Sequence, residues 1–124
     1  MHPVPDDLDF GSLVGEQLNQ VCVGPFDLQL KFGGRSPERG WTISCFGRVE
    51  HHRDGDVTLV FHNSLKAPSQ ALSVVGQNVI GWGLRRPDTV VISFGDGSSL
   101  WLVAQVSGYE DFWASPPQGA SWYW

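Results

Sequence analysis

His51 and His52 are adjacent, and Asp54 and Asp56 follow within four residues. A His/Asp group of this kind can hold zinc or another divalent ion. Its spacing matches no ligand pattern such as two histidines one helical turn apart. Neighbouring side chains of a strand point to opposite faces, so the two imidazoles share a metal only in a turn. A solvated polar hairpin is the competing reading, and no cofactor is expected. The four residues stand as the polar lining of an alternative small-ligand, metal or enzymatic pocket between two halves of the chain.

Other catalytic constellations fail on spacing. Asp6-Asp7 and Glu110-Asp111 are paired carboxylates. General acid–base work needs two carboxylates on opposed sides of a substrate in unequal environments. Chain neighbours do not provide that. They read instead as charge at the N-termini of short helices, Glu110-Asp111 preceding a final one. No G-x-S-x-G elbow occurs. Gly33-Gly34 and Gly95-Asp96-Gly97 read as hairpin turns, because no Lys-Ser and no helix follows them. Cys22 and Cys45 lie in apolar runs and read as buried structural thiols in a reducing compartment. No catalytic residue is assigned.

Aromatic residues carry the stronger signal. Four of the six tryptophans fall in the last 24 residues. Pro116-Pro117 holds that segment extended, and Trp122-Tyr123-Trp124 closes it. Indoles in such a position need cover. They obtain it from their own domain, from a second copy that exchanges the tail, or from a partner, since Trp and Tyr are common interface anchors. The candidate partner-binding residues are Asp96, Glu110, Asp111, Trp113, Trp122, Tyr123 and Trp124. Trp41, Trp82 and Trp101 fall in strand-like segments and read as core.

Composition bounds what these residues can belong to. The 124 residues make one domain, with 41% hydrophobic and 17% charged content. No apolar run approaches the ~20 residues that span a bilayer. The start, M-H-P-V-P-D-D, has neither a basic stretch nor an apolar one, so a cytoplasmic protein is expected. The net charge of −5 is unevenly spread. Residues 1–10 carry −3, residues 11–86 carry +2, and residues 87–124 carry −4. Nucleic-acid binding needs a basic face, and only Arg85-Arg86 hints at one. The acidic ends suit a basic protein partner better.

The elements that must position these residues follow an internal repeat. Ser12-Leu13-Val14-Gly15 matches Ser73-Val74-Val75-Gly76. Pro25, Leu28, Leu30, Phe32 and Gly33 match Pro87, Val90, Ile92, Phe94 and Gly95. The offset is 61 residues, then 62. Each copy has a turn ending at Gly, where positive φ is easy. Each then has a first strand (18–23 and 79–84) and a period-2 strand (28–32 and 90–94). After a hairpin turn comes a third strand (41–46 and 100–106). A further strand is expected at 57–62, after the turn Arg53-Asp54-Gly55-Asp56, and a linker helix at 64–75. The sum is a mainly β domain of about seven strands with two or three short helices. A half-barrel curled around the linker helix leads, and a β-sandwich is the alternative.

This pattern resembles a family of small bacterial two-repeat β-rich domains. Its members carry an L-x-G-x-x-[IVL] turn, a strand ending in F-x-D-G, an L-x-[IVL] strand and Y-E-x-W near the C-terminus. The matching residues are Val75-Gly76-Gln77-Asn78-Val79, Phe94-Gly95-Asp96-Gly97, Leu100-Trp101-Leu102 and Tyr109-Glu110-Asp111-Phe112-Trp113. The likeness covers about residues 12–113. Gly34 replaces the Asp in the first copy, and Trp113 falls one place late. Some such domains resemble immunity proteins that neutralise polymorphic toxins. The resemblance, with the acidic ends, implies a non-enzymatic module that occludes a basic toxin or effector. No nucleic acid and no membrane is expected as partner. An oligomerisation module, a homodimer with an exchanged aromatic tail, is the further alternative.

Overall fold

Strict alternation makes Leu28, Leu30 and Phe32 one apolar row and Gln29 and Lys31 the opposite polar row. That parity needs a sheet with one buried face. The computed structural model describes residues 4–33, 40–62, 65–66, 73–85, 88–104 and 111–124. Its strands are β1 (Leu18–Val23), β2 (Leu28–Phe32), β3 (Trp41–Cys45), β4 (Arg48–Arg53), β5 (Asp56–His62) and β6 (Leu65–Lys66). They continue with β7 (Val79–Arg85), β8 (Thr89–Phe94), β9 (Ser99–Val103), β10 (Phe112–Ser115) and β11 (Trp122–Tyr123). A 3₁₀ turn at Gly11–Leu13 is the one helical element among the described residues.

The strands form two antiparallel sheets, ordered β1-β2-β3-β10-β11 and β6-β5-β4-β9-β8-β7. The sheets share one core. Leu30, Phe32 and Ile43 from the first are buried in the same cluster as Ile92, Leu100 and Leu102 from the second. The fold is thus a mainly β sandwich, the second of the two expected architectures. The half-barrel around a helix is not adopted.

The two matching turns meet. Gly15 N–H donates to the Val79 carbonyl (2.7 Å), and Gly76 N–H donates to the Leu18 carbonyl (2.8 Å). Leu18 N–H donates to Gln77 (3.0 Å), and Val79 N–H donates to Glu16 (2.8 Å). In each pair the second bond lies 61 residues along from the first. Gln17 and Asn78 bridge each other at the centre. Gly15 and Gly76 have φ of 92° and 94°, which an L side chain resists. Strand order adds an exchange. The unit β1-β2-β3 takes its fourth strand, β10, from the second half of the chain, and β9-β8-β7 takes β4 from the first half.

Several expectations need correction. Of the linker helix at 64–75, Leu65–Lys66 is strand, because the edge of β5 satisfies its backbone. Residues 73–76 form a turn, and the remainder of 64–75 lies outside the described residues. The final helix is replaced by β10, which pairs with β3 from Phe112 opposite Cys45 to Ser115 opposite Thr42. The histidine segment is itself a strand, β4, and only Asp54-Gly55 is turn. Arg53 faces Asp56 across it, with φ of 52° and 86° at the two central residues, as a tight two-residue hairpin requires.

Candidate functional site: an acidic and aromatic groove

The first described residues alternate. Val4, Leu8 and Phe10 are buried, while Asp7 and Asp9 are exposed. The apolar set binds the segment to the core, and parity then turns the carboxylates outward. Asp9 Oδ1 accepts the Gly11 amide at 2.7 Å. Phe10 meets Trp41 edge-on at 5.1 Å, and Trp41 Nε1 donates to Ser12 Oγ at 3.1 Å. The C-terminal segment returns beside them. Trp122 stacks parallel to Trp41 at 6.0 Å, and Ser115 and Ser121 hydroxyls meet at 3.0 Å. Between the two ends of the chain lies a groove of about 510 Å³, bordered by Asp7, Asp9, Ser12, Trp41, Trp122 and the 116–121 loop. Exposed carboxylates next to half-buried indole suit a cation, which the acids attract and the ring quadrupole holds.

The residues expected at a partner surface scatter. Trp122 borders the groove. Trp113 and Tyr123 form an exposed cross-strand pair, 5.2 Å apart, on the outer face of the first sheet. Trp124 and Asp111 are buried and offer no contact surface. The tail packs back on its own chain, where Trp124 fills the core beside Phe112 at 5.3 Å. Glu110 lies outside the described residues. Asp96 is far along the second sheet. Its carboxylate accepts Ser98 N–H (2.9 Å), Ser98 Oγ–H (2.6 Å) and Arg53 Nη2–H (2.5 Å). Asp7, Asp9, Ser12 and Trp41 were not expected at a site. The acid–apolar alternation of Asp7-Leu8-Asp9-Phe10 was the available signal.

No metal centre assembles from the histidines. His51 faces inward and His52 outward, as strand parity demands. Among the described residues no three metal-ligating side chains gather. His51, Asp54 and Asp56 do border a pocket of about 260 Å³ with Arg53 and Thr58, but at the tip of one hairpin rather than between the repeats. His52 packs parallel on Trp101 at 4.0 Å, and its Nε2 meets Glu50 Oε1 at 2.9 Å. Trp101 therefore stands half-buried on an outer face and is not core. Trp41 is core, and Trp82 packs partly buried against it. Cys45 is buried, which pushes its thiol far above the ordinary value and leaves it inert. Cys22 is only half-buried. No known protein family, no curated protein and no solved structure matches the chain.

Ionisation ties this region to stability. Burial, then the charge of Arg53 and of His52, holds His51 below the ordinary imidazole value, against a smaller pull from Asp96. Its buried Nε2 has no hydrogen-bond partner. Burial works against the Glu50 carboxylate, but hydrogen bonds from Arg48 and His52 outweigh it and lower its pKa. Asp96 is lowered in the same way, burial being outweighed by Ser98 and Arg53. In all three the unfolded chain takes up the proton first, so acid favours unfolding. The His51 contribution is complete above about pH 6.5 and is lost as pH falls through that value. The carboxylates extend the loss below about pH 4.5. The urea midpoint is therefore expected to be flat from pH 7 to 8 and to fall from pH 6.5 downward. His51→Leu should remove the part between pH 5 and 6.5. An unchanged slope in that variant would contradict the assignment.

Proposed function

We propose that this chain is a non-enzymatic protein-binding module that takes a basic partner. The observation that carries the reading is the shared groove: Asp7 and Asp9 border the same cleft as Trp41 and Trp122. The acidic start and the aromatic end lie at opposite ends of the sequence, and the fold sets them side by side. A lysine or arginine side chain there gains a carboxylate on one side and indole on the other. The net charge of −5 adds long-range attraction for a basic surface. In its finer form the module is an immunity-type inhibitor that occludes a basic toxin. Support for that form is the motif resemblance together with the acidic ends.

The general reading is tested by titrating the full chain with hexa-arginine and hexa-glutamate peptides in a calorimeter. Binding of hexa-arginine alone, weakening with salt, is expected. Asp7→Asn with Asp9→Asn should weaken it about three- to tenfold, the range for two exposed charges. Both residues are exposed, and Asn keeps an oxygen for the Gly11 amide, so the fold should hold. Equal binding of both peptides, or none, would refute the reading. The finer form is tested in cells that co-express the toxin encoded beside this chain. Survival should depend on the same two carboxylates.

A further inference from the structure

The outer face of the second sheet carries its own pocket, on the opposite side of the sandwich from the outer face of the first sheet. Cross-strand register places Arg48, Val103, Thr89 and Arg85 in one row, and Glu50, Trp101, Val91 and Gly83 in the next. Glu50, Arg85, Thr89, Trp101 and Val103 border a shallow pocket of about 460 Å³. Size alone puts it within the range of small-molecule sites. Space is left open on the β7 side, because a Cβ at Gly81 or Gly83 would meet nothing within 4 Å.

Charge says what the pocket takes. Glu50 is already engaged on both oxygens, by Arg48 Nε at 2.5 Å and His52 Nε2 at 2.9 Å. Arg85 has its guanidinium 5.6 Å from the centre of the Trp101 ring, and among the described residues no carboxylate pairs with it. Two arginines thus face one carboxylate, a local excess of positive charge on a chain of net −5. The planar guanidinium fork matches a carboxylate in two hydrogen bonds. Trp101 and Val103 add an apolar wall for an uncharged body. We infer that this pocket binds a small organic carboxylate with a planar apolar body, the carboxylate on Arg85 and the body against Trp101. This inference is independent of the acidic groove, which selects the opposite charge.

The test uses benzoate as probe on the full chain. Its readout is the Trp101 indole N–H resonance, assigned with Trp101→Phe. Benzamide keeps the ring without the charge, and inorganic phosphate keeps the charge without the ring. Benzoate should shift the Trp101 signal with a Kd of about 1–10 mM, the affinity expected of so small a ligand. Arg85→Gln should weaken it about tenfold or more, as loss of a charged hydrogen bond does. Arg85 is exposed, so this variant should keep the wild-type spectrum elsewhere. Equal shifts with benzamide, or unchanged binding by Arg85→Gln, would overturn the inference. So would phosphate binding as tightly as benzoate, or no shift at about 50 mM benzoate, well above that range.

Discussion

Trp124→Ala is expected to lower the unfolding free energy by about 3–5 kcal/mol, the range for emptying a buried tryptophan site. For a domain of this size that is a large part of the total stability and about 10–20 °C in Tm. Trp124 is fully buried between Phe112 and Phe10, at 5.3 and 6.3 Å. Its backbone contributes as well. The Asp111 and Phe112 amides donate to its main-chain oxygen at 2.6 and 2.8 Å, and its own amide donates to Phe112 at 3.1 Å. Trp124→Ala keeps those bonds and isolates the side chain. Trp124→Phe is the informative contrast. The indole Nε1 is buried without a partner, a defect that phenylalanine removes. The smaller ring leaves a cavity that works the other way, so this variant should stay within about 1.5 kcal/mol of wild type. Urea unfolding followed by circular dichroism measures both. Equal losses for Ala and Phe would show that the indole nitrogen has an acceptor after all.

The second large effect follows from the strand exchange. Residues 1–70 and 71–124, produced separately, are each expected to lack a cooperative fold. The first fragment holds β1-β2-β3 without β10, and β4-β5 without β9. The second holds β9-β8-β7 without β4, and the β10-β11 pair without β3. Each is left with a three-stranded sheet and a hairpin that cannot cover one another's apolar faces, and isolated hairpins are marginal in water. Mixed, the fragments regain both interfaces at once. They should then recover the near-ultraviolet spectrum of the intact chain, with a Kd of about 1 µM or tighter for so large an apolar interface. A cooperative urea transition in either fragment alone would show that the exchange is dispensable.

Much of the fold was legible locally. Leu28-Gln29-Leu30-Lys31-Phe32 alternates, and its inward row is buried as read. Asp54-Gly55 specifies a hairpin by backbone chemistry alone. The strands missed are those whose patterns do not favour a sheet. β4 reads R-V-E-H-H-R, with a histidine on its buried face. β10 and β11 are four and two residues long and flank a Pro-Pro turn. They are strands because β3 offers unpaired backbone groups at its edge. Trp101 went astray for a related reason. Its strand, Ser99–Val103, alternates with buried Leu100 and Leu102, and parity sends the tryptophan outward. Bulk suggested core, but alternation decided.

The candidate sites were less legible. Asp7 and Asp9 carry chemistry only beside Trp41 and Trp122, more than a hundred residues from the start of the tail. Glu50 and Arg85 border one pocket only because β4 lies against β9 and not against β3. The sequence by itself determined strand parity, the positive-φ turns at Gly15 and Gly76, and the repeat that makes those turns alike. Which strands became neighbours, which polar residues came to share a cleft, and which tryptophan was buried were decided by the tertiary structure alone. The physical reason is that backbone hydrogen bonds are nearly blind to sequence, so a strand takes the partner that completes the buried apolar layer. That layer is a property of both halves of the chain together.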